Sequence, residues 1–204
     1  DSREPELRTS MRAELGITEN EVLLLQVGSG FKIKGVDRAL HAIAALPEYW
    51  RQRTRYVLVG QGRPNRYLRQ ARKLGISDLV TVLPGRDDIP RFMQGADLLL
   101  HPAYMESAGY VLLEATIAGL PVLTTASCGY AFHIEQAQSG EVCAEPFQQA
   151  ELNSRLLGML ETLPTSGWSK NGLEYGKRAE LYTLPQVALE IIERLAAVAG
   201  KSRG

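Results

Sequence analysis

The run VLLLQVGSGFKIKGVDRALHAIAALP (residues 22–47) holds one full unit of an α/β sandwich. Its first part, 22–28, is an apolar stretch ending in glycine. Apolar runs without polar alternation mark strands buried on both faces, and so a parallel sheet. A loop with three glycines and two lysines follows. Val36, Ala39, Leu40, Ile43 and Ala44 then fall on one helix face, and Pro47 ends that segment. Similar strand-like runs recur at 55–60, 79–85, 97–102 and 121–125, with a weaker sixth at 141–144. Residues 65–74, 89–96, 110–118 and 131–138 supply the crossover helices, and 148–163 add another amphipathic stretch. A terminal helix is expected from Pro185, with Leu189, Ile192, Leu195 and Ala196 as its stripe. Strands alternating with helices predict an α/β three-layer sandwich around a six-stranded parallel sheet.

Composition narrows the function classes. The chain has 204 residues, with 23 Lys+Arg against 23 Asp+Glu and 45% hydrophobic residues. That neutral balance argues against a general nucleic-acid binder, and the apolar fraction argues against disorder. No run approaches the apolar length of a membrane span. Cys128 and Cys143 lack zinc-site spacing and read as reduced thiols of a cytoplasmic protein. Residues 1–20 start at Asp1, are charged, and carry Pro5; they read as a linker and a first helix, which suggests one domain of a larger protein. Thr18-Glu19-Asn20-Glu21 fits a capping box, but a strand follows it, so a turn is expected.

Six strands of a doubly wound sheet usually take the order 3-2-1-4-5-6, and ligands bind where the order reverses, beyond the carboxyl ends of strands 1 and 4. This selects two loops. The first, 28–35, carries Gly28, Gly30, Lys32 and Lys34 ahead of a helix N-terminus, a combination suited to a phosphate or diphosphate. A plain surface turn with solvated lysines reads equally well. The loop is neither a P-loop nor a dinucleotide fingerprint, because Ile33 stands where a third glycine would be needed. The second loop, 103–109, carries Glu106, and the next helix carries Glu114. Eight helical residues span about 12 Å, which suits two contacts at opposite ends of an elongated ligand better than a glycosidase pair. Glu114 on a solvated helix face is the alternative, against which its apolar neighbours Leu112, Leu113 and Ala115 weigh.

The segment from Glu106 to Glu114 resembles the E-x7-E motif of the retaining nucleotide-sugar glycosyltransferases of the GT-B fold, glycosyltransferase family 4. The likeness extends through DLLLHPAYMESAGYVLLEATIAGLPVLTTASCGY (97–130) and upstream through VGSGFKIKGVDRAL, VGQG and TVLPGRDDIPRFMQGAD. It implies a Rossmann-like fold, the C-terminal half of a GT-B enzyme. Within the family, HPAYMESAGYVLLEA, CGYAFHI and Leu181 to Pro185 resemble the lipopolysaccharide-core glucosyltransferases. That implies transfer of glucose from UDP-glucose to an inner-core heptose, with the chain serving as a single donor-binding domain over 1–204. The acceptor would sit on an N-terminal domain absent from this chain, so the chain is expected to bind donor yet transfer little sugar alone.

By position, the resemblance makes Lys34 the diphosphate lysine, Glu106 the glutamate near the transferred sugar, and Glu114 the ligand of the ribose hydroxyls. Ala108, Gly109, Tyr110 and Val111 become the backbone that meets diphosphate and sugar, and Arg86 lines the nucleobase pocket. Ser29 stands where many members have arginine, and Ile33 where the residue before the lysine is often basic; Lys32 is the candidate to compensate. No D-x-D or His/Asp metal cluster is visible, so the family chemistry implies no metal and places the leaving UDP on Lys34 and helix N-termini. Glu106 then positions the sugar and stabilises charge without acting as a nucleophile. A GT-B sugar-nucleotide epimerase half and a non-catalytic nucleotide-sugar module are the alternatives.

Other residues read blandly or in two ways. His101 reads as a capped or buried histidine. His133 either borders the donor sugar or lies on a helix surface. Arg63, Arg66, Arg69 and Arg72 form a solvated helix face or a patch for anionic lipid. Trp50 and Trp168 read as packing anchors.

Overall fold

The computed structural model describes residues 4–178. Its strands are β1 (Val22–Val27), β2 (Thr54–Val59), β3 (Val80–Leu83), β4 (Leu98–His101), β5 (Val122–Thr125) and β6 (Gly140–Cys143). Each matches its expected run to within two residues. All pairings are parallel, in the order β3-β2-β1-β4-β5-β6.

The apolar runs lack polar alternation because both sheet faces are covered. Leu24, Tyr56, Leu58, Leu98, Leu100 and Leu123 point into one core with α2 (Val36–Ala44), α4 (Pro64–Lys73) and α8 (Gln149–Thr162). Their strand neighbours Leu23, Leu25, Val57, Val59, Leu99 and Val122 point into the other. That second core is closed by α1 (Pro5–Glu14), α5 (Ile89–Gly95), α6 (Tyr110–Ile117) and α7 (Ala131–Ala137).

Two helices were not expected. Pro47 does end α2, but it is also the N-cap of a short helix, α3 (Glu48–Arg53). Beyond α8, α9 (Trp168–Gly176) packs on α6 and α7. Its sequence, WSKNGLEYG, has two glycines inside and weak helical propensity. The glycines serve a close crossing: a Cβ on Gly172 would come within 2.4 Å of the Thr116 carbonyl oxygen. Trp50 and Trp168 both pack against the first core, as expected of anchors. The terminal helix expected from Pro185 lies outside the described residues.

Residues 18–21 form a turn that uses capping-box chemistry. The Glu21 carboxylate accepts the Thr18 N–H at 2.7 Å and the Thr18 hydroxyl at 2.9 Å, while the Glu21 N–H returns to the Thr18 carbonyl. Both cysteines are free thiols and buried. Burial pushes the Cys143 thiol up to about 12.

Candidate functional site

The strand order reverses between β1 and β4, and there the loops 28–35 and 102–109 meet. Glycine permits the contact. Gly35, at φ +69°, would place a Cβ 1.9 Å from the Pro102 carbonyl oxygen, and Gly60 would place one 2.2 Å from that of Gly28. The Tyr104 N–H donates to the Ile33 carbonyl at 2.8 Å. Arg38, missed by the sequence reading, braces the junction. Its guanidinium lies 3.6 Å from the ring centres of both Tyr104 and Phe147 and donates to the Ala103 carbonyl at 2.9 Å. Gly35→Ala should therefore destabilise the fold by about 2–4 kcal/mol, from left-handed strain plus the backbone collision. Urea unfolding measures this; a loss below about 0.5 kcal/mol would show that the junction yields.

Lys34 and Glu106 meet as an ion pair at this junction, Nζ to Oε2, with side chains 18% and 17% exposed. Lys34 is held from behind. Buried Gln26 donates from Nε2 to the Lys34 carbonyl at 2.6 Å and accepts from the Tyr56 hydroxyl. Gly28 leaves room for the lysine stem, since a Cβ there would lie 3.1 Å from Lys34 Cε. Gly109 does the same for Glu106, at 3.2 Å from its Cγ. Burial lowers the Lys34 pKa, with Cys128 opposing. The Glu106 carboxylate favours the charged ammonium.

The turn after β5 clamps Glu106. The Glu106 N–H donates to the Ser127 carbonyl at 3.2 Å, and its own carbonyl accepts the Gly129 N–H at 2.9 Å. The Tyr130 N–H donates to the Ala108 carbonyl at 2.7 Å. This turn carries no charged residue, which is why the sequence did not flag it.

The other expected site residues fall unevenly. Gly109, at φ +88°, is the N-cap of α6, and no side chain caps that helix. Tyr110 is exposed and meets Tyr130 edge to face, while Val111 packs against the second core. Gly30, like Gly28, spends its N–H within the fold: Gly28 donates to Val59 and Gly30 to Gln61. Lys32 is exposed and forms no ion pair among the described residues. Arg86 pairs with Asp88 and Glu14 and stacks 5.1 Å from Phe92. The Arg86 contact holds the Asp88 carboxyl down to about 2. Leu112 and Ala115 are buried as expected, yet Glu114 between them stands exposed, because a helix period turns that one position outward.

The helix-surface reading of His133 does not hold. Its ring is buried, with Nδ1 at 2.7 Å from the Tyr175 hydroxyl, and so joins α7 to α9. His101, at the end of β4, is buried as expected and stands beside the ion pair, its Nε2 at 3.6 Å from Glu106 Oε2. Ile33, Tyr104, Met105, Tyr110 and Phe132 are exposed apolar side chains on the loops and helix starts at this same edge. Arg63, Arg66, Arg69 and Arg72 stand exposed without an ion pair among the described residues. A hollow of about 850 Å³ is lined by Asp97, Pro121 and α9 at the opposite edge, away from the strand ends where ligands bind. Among the described residues, no cluster of three His, Cys, Asp or Glu side chains is placed to hold a metal, and no helix is long and apolar enough to cross a membrane.

Comparison with known proteins places this geometry. The chain is 49% identical over 189 residues to the lipopolysaccharide glucosyltransferase WaaG of Escherichia coli (strain K12), covering 92% of the chain and 50% of that protein. It is 34% identical over 149 residues to a D-inositol 3-phosphate glycosyltransferase of Mycobacterium sp. (strain KMS), covering 69% and 33%. The chain thus spans between a third and a half of these relatives. The crystal structure of WaaG superimposes with a TM-score of 0.87 over 93% of this chain and 51% of that one. Anabaena Alr3699/HepE in complex with UDP and glucose superimposes at 0.80 with 24% identity, over 94% and 53%, and shares the fold. The expected fold, a Rossmann-like domain of the GT-B kind, is the observed one. The profile of the glycosyl transferases group 1 matches residues 8–166, and the chain belongs to that family.

Proposed function

We propose that this domain binds UDP-glucose as the donor half of a retaining glucosyltransferase that extends an inner-core heptose of lipopolysaccharide. One observation carries the reading: a lysine–glutamate pair stands at the sheet's switch point beside a helix N-terminus that no side chain caps. The 49% identity to a lipopolysaccharide glucosyltransferase supports the donor and acceptor classes.

In this reading the diphosphate lies across the start of α6 and draws Lys34 to itself. The Tyr110 and Val111 N–H groups and the positive end of the helix complete an anion site. Glu114, exposed and unpaired among the described residues, takes the ribose diol. Glu106 faces the sugar. As the anomeric C–O bond breaks, negative charge grows on the UDP oxygens, and Lys34 and the helix dipole stabilise it where it develops. Transfer is proposed to need no metal and no protein nucleophile. The acceptor hydroxyl attacks on the face the diphosphate leaves, and its proton passes to the departing phosphate oxygen. The acceptor belongs on a preceding domain, at the apolar edge around Tyr104 and Tyr110. We place the enzyme in the cytoplasm, and the α4 arginines are its candidate contact with an anionic membrane surface.

Calorimetric titration of the chain with UDP, UDP-glucose and NAD, with and without a chelator, tests the proposal. UDP and UDP-glucose should bind and NAD should not. Absence of UDP binding, or preference for NAD, would sink it. Glu114→Ala should weaken UDP and uridine alike, by about tenfold, since it removes hydrogen bonds to a charged acceptor far from the diphosphate. Unchanged uridine binding would move the ribose elsewhere.

A further inference from the structure

His101 is 0% exposed, and neither ring nitrogen has a hydrogen-bond partner among the described residues. A neutral imidazole has one N–H donor and one acceptor, and leaving both unmet in a buried site is costly. Burial, reinforced by the nearby Lys34 charge, depresses the pKa to about 3, so the ring is neutral at ordinary pH. Its Nε2 points at one atom, Glu106 Oε2, from 3.6 Å. That distance is just beyond a hydrogen bond, and the same oxygen is held by Lys34.

The arrangement offers one carboxylate oxygen to two donors and lets only one of them bond it. Lys34 holds it in the ligand-free chain. A diphosphate carries more negative charge than a carboxylate, so its arrival draws the ammonium away. Glu106 would then be left as a largely buried anion without its partner, which costs more than an unmet neutral group. A carboxylate rotation of less than about 1 Å closes the gap to a charge-assisted bond. We infer that His101 is a positioning residue that takes over Glu106, through an Nε2–H donor, when the donor diphosphate claims Lys34. The inference rests on the reading of this site as a UDP-sugar site. It assigns the exchange of partners to a residue that touches no substrate: Lys34 is released to the phosphates without leaving Glu106 unheld, and Glu106 is turned from the lysine to a fixed imidazole.

Two measurements on the chain test this. The first is titration of wild type, His101→Leu and His101→Gln with uridine and with UDP. Leucine offers no donor, while the glutamine amide can replace Nε2–H. His101→Leu should weaken UDP about tenfold and leave uridine unchanged, because uridine does not displace Lys34. His101→Gln should recover most of the UDP affinity. The second is nitrogen-15 NMR of the histidine rings in wild type, which needs no variant to fold. Adding UDP should produce a slowly exchanging, downfield Nε2–H signal that is missing from His101→Gln. Wild-type UDP binding with no change in that resonance would overturn the inference alone, as would equal UDP affinity in His101→Leu. Failure of wild type to bind UDP would overturn both the inference and the donor reading. Equal weakening of uridine and UDP in the leucine variant would show a packing role and also count against the inference.

Discussion

Replacing Lys34 with Met should lower UDP affinity on the order of 100-fold while leaving uridine affinity within about threefold of wild type. The argument starts from where the lysine is held. Gln26 fixes its backbone carbonyl, Gly28 makes space for its stem, and its ammonium ends at Glu106 on the switch-point edge of the sheet. A charged donor to a phosphate contributes about 1.5–3 kcal/mol, and losing the ammonium also removes its longer-range attraction in a poorly solvated loop. Methionine keeps much of the stem's length and volume, so the glycine-lined slot stays filled. Lys34→Arg should recover only part of the affinity, because a planar fork does not fit where a point charge did. In a longer protein capable of transfer, the methionine variant should lose more in kcat/KM than in donor affinity, since negative charge on the diphosphate grows as the glycosidic bond breaks. Equal UDP affinity in wild type and Lys34→Met would place the diphosphate elsewhere.

The sheet was legible because burial on both faces leaves a distinctive trace. Leu23, Leu24 and Leu25 alternate between the two cores, yet all three are apolar, and only a covered parallel strand requires that. The glycine that follows each of β1 and β2 marked the turns. α3 and α9 left no such trace. α3 has no buried residue, and α9 is held by its crossing with α6, a tertiary contact that its two glycines permit and its periodicity does not announce.

The site was legible in part for a similar reason. Charged residues in loops at a predicted switch point stand out, and Lys34 and Glu106 were found that way. The structure added residues that act through backbone or burial. Ser127 and Gly129 clamp Glu106, and Tyr130 holds Ala108, with main-chain groups and not with side chains. Gln26 looks in sequence like a polar blemish in a strand, and only the fold shows it on the Lys34 carbonyl. Glu114 went astray in one respect: three apolar neighbours suggested burial, but the helical period sends its side chain to solvent. The burial of His133 was not legible because its partner, Tyr175, lies on a helix that the sequence does not announce.

The largest expected loss of stability lies far from the site, at Arg12. Its side chain is 1% exposed. Nη1 donates to the Gly95 carbonyl at 3.2 Å and to Asp97 Oδ2 at 2.9 Å; Nη2 donates to the carbonyls of Thr18 at 2.6 Å and Glu21 at 2.5 Å. One guanidinium thus joins α1, the turn before β1 and the start of β4. Asp97 completes the knot by accepting the Leu23 N–H and Arg8, each at 2.7 Å. Arg12→Met keeps the aliphatic packing but takes a donor from each of three carbonyls, those of Gly95, Thr18 and Glu21, and weakens the hold on a carboxylate. Breaking a buried charged network from one side costs about 3–5 kcal/mol, a large share of the usual 5–15 kcal/mol. For a chain of this size that lowers the melting temperature by roughly 10 °C or more. Arg12→Lys should fare little better, because an ammonium cannot reach four oxygens spread across a planar fork. Asp97→Asn should cost less than Arg12→Met, since Leu23 and the arginines keep an acceptor. The double variant should cost less than the sum of the two, as expected for partners in one network. Urea unfolding of the three variants decides it: strict additivity, or a loss below about 1 kcal/mol for Arg12→Met, would show that α1 is held by its apolar face and not by the arginine.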